Sequence, residues 1–583
     1  MTNIVQTLNR QSDSATKTDR LEGWLPWILF ASAIFVLFYQ VGAAALFEPD
    51  EGRNSEKARE ILVLQDWVTP HDNFHPVLDK PIFFYWLIAL SFKLFGISEW
   101  AARLPSALAA LGCVALVYFL AHNYWGRWQA LWSALILLTS AEFFILARVV
   151  IFDMPLTFFL TLALMAFYDA GHSENIQRRR WMCLLLYSAL GAATLIKGLI
   201  GIVVPGMVIF FYLLLSKQWS MLRRIYLIPG ILLLLAIVLP WFLEAGARTD
   251  GYLRYYLWAE HFGRFTGGEF DRSQPWFYFI IVAMVGFFPW TLLLPFLALR
   301  YQRKALDDKN LFLILWIILP FLFFSVSKSK LPHYILPIFP ALAVLIAASL
   351  VSLYGESAKK AQRMIALTWA AHGLVALYFI VGFMRPMILP RTIANGISAM
   401  TPQIWLYGAV IMLMLILLSY WQAARQPPRQ AQLFVVQAAA MIVFLAFVSQ
   451  LMIATAPLRS AKALAEKTAA LVLAETQVVF YDTYLSGMAF YLRAEKPLWV
   501  VTYSKKKRTF LGNFYALGKR EELIGPRGKA LLDFDEFRQQ WETAKQPLVI
   551  FVKEKNRARL EAEIGAAPQR IATVNDYVVL WKP

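Results

Sequence analysis

Apolar runs long enough to cross a bilayer recur along almost the whole of this chain, and nothing else in it constrains the fold as strongly. The first extends from Trp24 to Phe47, about 24 residues where about 20 suffice for a helix to cross roughly 30 Å of hydrocarbon. Further candidate spans fall at 101–121, 128–147, 154–170, 182–196, 199–216, 225–243, 276–299, 310–326, 334–353, 364–384, 404–421 and 432–452. The reading is a polytopic α-helical membrane protein with about 13 transmembrane helices. At 59% hydrophobic and 16% charged residues, the chain has more apolar surface than a water-soluble core can hide. Cys113 and Cys183 lie inside apolar runs and read as packing residues, with no disulfide framework implied.

The Trp24 run exceeds the usual apolar core of a cleaved signal and reads as a signal anchor, although Ala43-Ala44-Ala45 resembles a cleavage site. The run from Ile82 to Phe95 is treated differently, since its roughly 14 residues are too few to cross. Charge tests that exclusion. With 82–95 left on one side, alternate loops carry Arg127, Arg178-Arg179-Arg180, Lys217 with Arg223-Arg224, Arg300 to Lys309, Lys359-Lys360 and Arg425, together with the basic N-terminal tail 1–23. The positive-inside rule puts all of these in the cytoplasm. The formal charge of +18 is thus accounted for by membrane topology and anionic headgroups, with no nucleic-acid motif and no nucleic acid expected as partner.

That topology leaves the other set of segments outside: the loops 47–100 and 244–275, the turns at Asp153, at Lys197-Gly198 and from Ser327 to His333, and the tail after Pro457. Residues 24–457 are read as the membrane domain. From 458 to 583 the composition becomes that of a small soluble α/β domain, with strands at Val478–Tyr481, Leu548–Val552 and Tyr577–Trp581 and helical patterns at 460–474 and 534–544. It contains no nucleophile motif or glycine-rich phosphate loop. A supporting or acceptor-docking role is expected of it.

The densest polar feature is Glu48-Pro49-Asp50-Glu51-Gly52-Arg53, directly after the first span. Together with Ala58-Arg59-Glu60, Asp66-Trp67-Val68-Thr69-Pro70, Asp79-Lys80-Pro81 and Tyr85-Trp86-Leu87 it resembles the first outer loop of the bacterial lipid A 4-amino-4-deoxy-L-arabinose transferases. The resemblance continues through Arg103-Leu104-Pro105, Asp153-Met154-Pro155, Lys197-Gly198, Pro240-Trp241, Glu260-His261, Arg264-Phe265 and Ser329-Lys330-Leu331-Pro332 to Tyr334-Ile335-Leu336-Pro337. It covers roughly the first 350 residues, and the ordered combination is more specific than any single pair. It implies the GT-C glycosyltransferase fold, similar to that of protein O-mannosyltransferases. It also implies an inverting transfer of aminoarabinose from undecaprenyl phosphate to lipid A phosphates on the periplasmic side of the inner membrane. Such a transfer lowers lipopolysaccharide negative charge and favours polymyxin resistance. Two departures bear on sugar preference: Asn54 stands where members of that family commonly have Tyr, and Asp79 where they have Glu.

The chemistry assigns expected roles. A polyprenyl phosphate gains negative charge as the glycosidic bond breaks, so nearby cations stabilise the transition state more than the ground state. Lys80 and Arg264 are the first candidates for that work, with Arg53 and Lys197 beside them. Asp50 is the candidate catalytic carboxylate; toward a hydroxyl acceptor it would be a general base, whereas an ionised phosphate acceptor leaves it to orient substrate or stabilise the oxocarbenium-like centre. Asp153 is a second carboxylate, placed to orient the sugar or Lys80, its alternative being a helix cap. Asp79, Glu51, Tyr334, His333 and Lys330 are candidate donor-pocket contacts. Asp50, Asp79 and His261 could assemble a divalent-metal site, but a monophosphate leaving group favours catalysis with no required cofactor. The rival readings are transfer of another sugar, or to a glycan or protein acceptor, and a polyprenyl-glycan flippase. A flippase would place charges along a path through the bilayer midplane, whereas these cluster on one face. The sequence leaves the oligomeric state open.

Overall fold

The computed structural model describes residues 23–263, 273–294, 307–385, 413, 430–502, 526–565 and 568–583. All of the expected span at 404–421 but residue 413, part of that at 276–299, most of the N-terminal tail and Arg264 lie outside the described residues. Within them the membrane part begins with α1 (Gly23–Phe38), α2 (Asp50–Leu64), α3 (Phe83–Phe95), α4 (Glu99–Tyr124), α5 (Arg127–Thr139) and α6 (Ala141–Ala147). It continues with α7 (Asp153–His172), α8 (Ile176–Lys197), α9 (Ile200–Ser216), α10 (Met221–Arg224) and α11 (Leu227–Arg248). Later helices run over Tyr278–Gly286, Asp308–Val326, Phe339–Glu356, Ala358–Met384 and Gln430–Thr455.

Among the described residues six helices are long and apolar enough to cross a membrane, or seven with the bent pair α5 and α6 taken as one span. Burial separates the bundle's centre from its rim. In α7, 78% of the most apolar window is buried by protein, and in the stretch Pro332–Glu356, 83%; in α11 only 17% is, which leaves that helix to face lipid. α3 has 13 residues, about 20 Å at 1.5 Å per residue, well short of the hydrocarbon thickness.

Where described, the segments expected outside hold regular structure. Residues 47–100 form α2, a two-stranded hairpin (β1, His71–Asp72; β2, His75–Pro76), α3 and the start of α4. Asp50 and Glu51 occupy the first turn of α2, where carboxylates favour the positive end of the helix dipole. The segment expected as a loop from residue 244 instead extends α11 to Arg248 and continues through Tyr252–Arg254 into a π-helical stretch, Tyr255–Gly263.

Residues from 462 onward build a six-stranded sheet in the order β5-β4-β3-β6-β8-β7, with β3 at Gln477–Tyr481, β4 at Trp499–Val501, β5 at Leu531–Leu532, β6 at Leu548–Lys553, β7 at Gln569–Val574 and β8 at Tyr577–Lys582. The first four are mutually parallel, and β8 runs antiparallel to β6 and β7. β3 is buried along its whole length and β6 along all but its last residue, as a strand covered on both faces requires. One core, around Val478, Phe480 and Phe551, lies on one side of the sheet; the other, around Tyr481, Ile550, Phe537 and Trp541, lies opposite.

This sheet domain docks on residues 46–73 through buried and part-buried polar bonds. The Asn73 side chain exchanges two 2.8 Å hydrogen bonds with the Leu498 backbone. Arg59 donates to the Ala494 carbonyl at 2.6 Å, the Gly487 amide donates to Glu48 at 2.7 Å, and the Leu46 amide donates to the Tyr491 hydroxyl at 2.8 Å.

Candidate active site

α2 carries Asp50, Arg53 and Lys57 at i, i+3 and i+7, one stripe of a helix. Asp50 is exposed at the stripe's outer end, while Lys57 is buried. The hairpin brings Asp72 to that stripe. Its turn residues Asn73 and Phe74 have φ of 55° and 63°, the left-handed pair that a tight two-residue hairpin demands. Contacts hold the turn in place of glycine: Asn73 is fixed by Leu498, and the Phe74 amide donates to Glu60 at 3.0 Å.

Asp72 is fully buried. Its Oδ2 lies 3.6 Å from Arg53 Nε, and it accepts from the Tyr484 hydroxyl at 3.3 Å. Burial pushes its carboxyl up to about 6, opposed by Lys57 and Arg53. Lys57 Nζ lies 3.4 Å from the Tyr85 hydroxyl. Its amine is held below the usual lysine range by burial, against the attraction of Asp72 and Asp79. Two cations and two carboxylates thus share a largely desolvated corner, next to Lys80, whose Nζ donates to Glu260 Oε1 at 2.6 Å.

A second group assembles from three other elements. Asp153 opens α7 and Lys197 closes α8, which Gly198 terminates at φ 75°, a conformation side chains other than glycine rarely adopt. Lys197 Nζ donates to Asp153 Oδ1 at 2.5 Å and stands 4.5 Å from the centre of the Tyr334 ring. His333 Nε2 lies 3.5 Å from Asp153 Oδ2. Asp153 is 2% exposed, so its pairing with Lys197 is what makes its charge tolerable there.

Both groups meet at the segment between α6 and α7. Glu51 accepts from the Val150 amide at 2.9 Å, and Asn54 donates to the Val150 carbonyl at 3.0 Å. Phe84 and Tyr85 pack on Phe152 with ring centres 4.9 and 5.4 Å away. α2 and the start of α7 therefore form one frame.

Several expected contacts have other duties. Glu51 binds Arg103 in a bidentate pair and also accepts from the Phe47 amide at 2.9 Å; these bonds commit its carboxylate to the frame. Lys330, 6% exposed, donates to the Gln274 carbonyl at 2.9 Å and so ties the end of segment 244–275 to the turn before Pro332. The carboxylate on Lys80 is Glu260; Asp153 instead pairs with Lys197. Among the described residues no three His, Cys, Asp or Glu side chains converge as a metal site, and the His261 side chain lies outside the described set. Sequence reading missed Lys57, Asp72 and Glu260 as members of the cluster. The stripe spacing from Asp50 was the one available signal for Lys57; Asp72 depends on the hairpin.

The comparisons agree with this architecture. Residues 79–243 match the family described as dolichyl-phosphate-mannose-protein mannosyltransferase. A curated undecaprenyl phosphate-alpha-4-amino-4-deoxy-L-arabinose arabinosyl transferase of Aeromonas hydrophila is 33% identical over 357 residues, 60% of this chain and 64% of that protein. One of Pseudomonas aeruginosa is 32% identical over 362 residues, 61% of this chain and 65% of its own length. The chain thus spans a little under two thirds of these relatives. The crystal structure of ArnT from Cupriavidus metallidurans bound to undecaprenyl phosphate superposes with a TM-score of 0.81 at 27% identity, over 96% of this chain and 98% of that one. Its apo form gives 0.80.

The fold is that of the GT-C membrane glycosyltransferases. Within that class, sequence and fold together make the chain a relative of the ArnT-type transferases.

Proposed function

We propose that this protein transfers 4-amino-4-deoxy-L-arabinose from undecaprenyl phosphate to lipid A phosphate groups at the periplasmic face of the bacterial inner membrane. The observation that carries the reading is the Asp50, Arg53, Lys57 and Lys80 cluster beside the Asp153–Lys197 pair, within a fold shared with ArnT over 96% of the chain. The proposed orientation follows the charge pattern: N-terminus cytoplasmic, about 13 spans, and both the cluster and the sheet domain outside.

In the proposed reaction a lipid A phosphate oxygen attacks the anomeric carbon as the bond from that carbon to the prenyl phosphate oxygen breaks. The electron pair goes to the leaving phosphate, and configuration inverts. Lys80 is the cation for the departing oxygen. An ammonium has three N–H donors, so pairing with Glu260 is compatible with a phosphate oxygen on another. Arg53 adds charge from the α2 stripe, and Arg264 is assigned the same work. Lys197, held by Asp153 and Tyr334, is proposed to hold the donor from the opposite side. Asp50 orients the acceptor or stabilises the developing oxocarbenium charge, since an ionised phosphate needs no general base. A monophosphate leaving group needs less charge neutralisation than a diphosphate, so we assign the reaction no required metal. Transfer of radiolabelled aminoarabinose by the purified full chain from undecaprenyl phosphate to lipid A tests the reading. Transfer only to a serine-bearing peptide would overturn it.

A further inference from the structure

Glu142 is a carboxylate near this cluster that the reaction as described does not use. It sits in the first turn of α6, which packs against α7 and against the turn Pro332–Ile338 that carries His333 and Tyr334. Both of its oxygens are shielded from solvent, and neither has a hydrogen-bond partner among the described residues. It lies close enough to Asp153 for the two negative charges to oppose each other.

Asp153 is paired with Lys197 at 2.5 Å and has His333 Nε2 at 3.5 Å; Glu142 has no ion-pair partner among the described residues. The neighbouring helix makes room for it. A Cβ built on Gly286 would fall 2.2 Å from Glu142 Oε2, so glycine at the end of Tyr278–Gly286 leaves the carboxylate a place that any other residue would occupy. A shielded carboxylate must be neutralised by a proton or by a cation. The proposed donor sugar brings a cation of suitable size, a primary amine protonated near neutral pH.

We propose that Glu142, in the space left by Gly286, is the subsite that binds the ammonium group of the donor sugar and selects amino sugars over neutral ones. This rests on the aminoarabinose reading above. Glu142 is here a binding residue and takes no part in bond breaking.

The test uses the purified full chain and two donors, undecaprenyl phosphate-aminoarabinose and its N-acetyl derivative, which keeps the ring and loses the charge. Wild type should prefer the amine. Glu142→Gln should reduce that preference at least tenfold in kcat/KM, mainly through KM for the amino donor, with an unchanged thermal unfolding midpoint. Gly286→Ala, which displaces the carboxylate without removing it, should cause the same loss and serves where Glu142→Gln does not accumulate. Active variants that keep the wild-type preference overturn this inference alone. Wild type that transfers from neither donor overturns the aminoarabinose reading and this inference with it.

Discussion

Glu51 and Arg103, 52 residues apart in the chain, form a bidentate ion pair with both bonds at 2.8 Å and each side chain 1% exposed. Arg103 also donates to the carbonyls of Val41, Ala44 and Ala45, and Glu51 to nothing but accepts from the amides of Phe47 and Val150. One pair therefore fixes the exit of the first apolar run, the start of α2, α4 and the approach to Asp153. Removing one partner strands a buried charge, which costs about 3–5 kcal/mol. Glu51→Ala and Arg103→Ala should each lower the thermal unfolding midpoint in detergent, and the double substitution should cost less than the sum of the two.

Lys80 should behave as a transition-state residue. Lys80→Ala is expected to lower kcat by about 10²-fold or more, as loss of a charged donor at a developing oxyanion does, with a smaller change in the donor's KM. Glu260→Gln, which leaves the lysine in place but less firmly held, should cost less than Lys80→Ala. Steady-state kinetics with matched enzyme concentrations check the order.

Lys197 depends on Asp153 more than on its own helix. Asp153→Asn removes the negative charge that holds both Lys197 and His333, so it should reproduce most of the kinetic loss of Lys197→Ala. Their double substitution should add little, because residues in one ion-pair network are not additive. A double-mutant cycle in kcat/KM measures this.

The contact between the start of α2 and the sheet domain should weaken as pH rises. Burial pushes the Glu48 carboxyl from 4.5 up to about 8, against the Gly487 amide and Arg53. The folded protein then retains a proton that the unfolded chain releases above 4.5, so stability falls with rising pH between about 4.5 and 8 and levels off beyond. Asp72 acts in the same direction up to about 6. His75, buried and lowered to about 4, accepts from the Ala530 amide and acts oppositely between about 4 and 6.5. Glu48→Gln should flatten the slope from pH 6.5 to 8, where only Glu48 of these three titrates, as read from unfolding midpoints across that range.

Asn54 marks how far the sequence could be read. Its bond to Val150 shows a frame contact, 6% exposed, where tyrosine is common in the resembling family. Nothing in the local sequence connects residue 54 with residue 150. Asn54→Ala should cost about 1 kcal/mol, the net worth of one hydrogen bond, more visibly in stability than in turnover.

The apolar helices, by contrast, were legible in part, because hydropathy reports burial in lipid and protein alike: of about 13 expected spans, six helices, or seven with the bent pair α5 and α6, are long and apolar enough to cross among the described residues. Excluding Ile82–Phe95 as a span rested on length and on loop charge, and the 13-residue α3 has the length expected. Lys197 was legible as a costly charge needing a partner; which carboxylate would supply it was not, because Asp153 opens one helix and Lys197 closes the next, 44 residues on. The partner of Glu51 was hidden for the same reason. A carboxylate in an acidic cluster looks available for substrate until an arginine from another helix is placed on it. β4, β5 and β7 were missed because two are three residues or shorter and the third is largely exposed along its length, so none carries a strong pattern.

Mass spectrometry of lipid A from a Gram-negative strain that lacks this transfer but makes the donor tests the central claim most directly. The strain would express this chain, Asp50→Ala or Lys80→Ala at equal membrane abundance. The account predicts an aminopentose adduct on lipid A phosphate with the wild-type chain and its loss in both variants. Lipid A left unmodified by the wild-type chain would contradict the proposed reaction, and an adduct that survives both substitutions would contradict the proposed site.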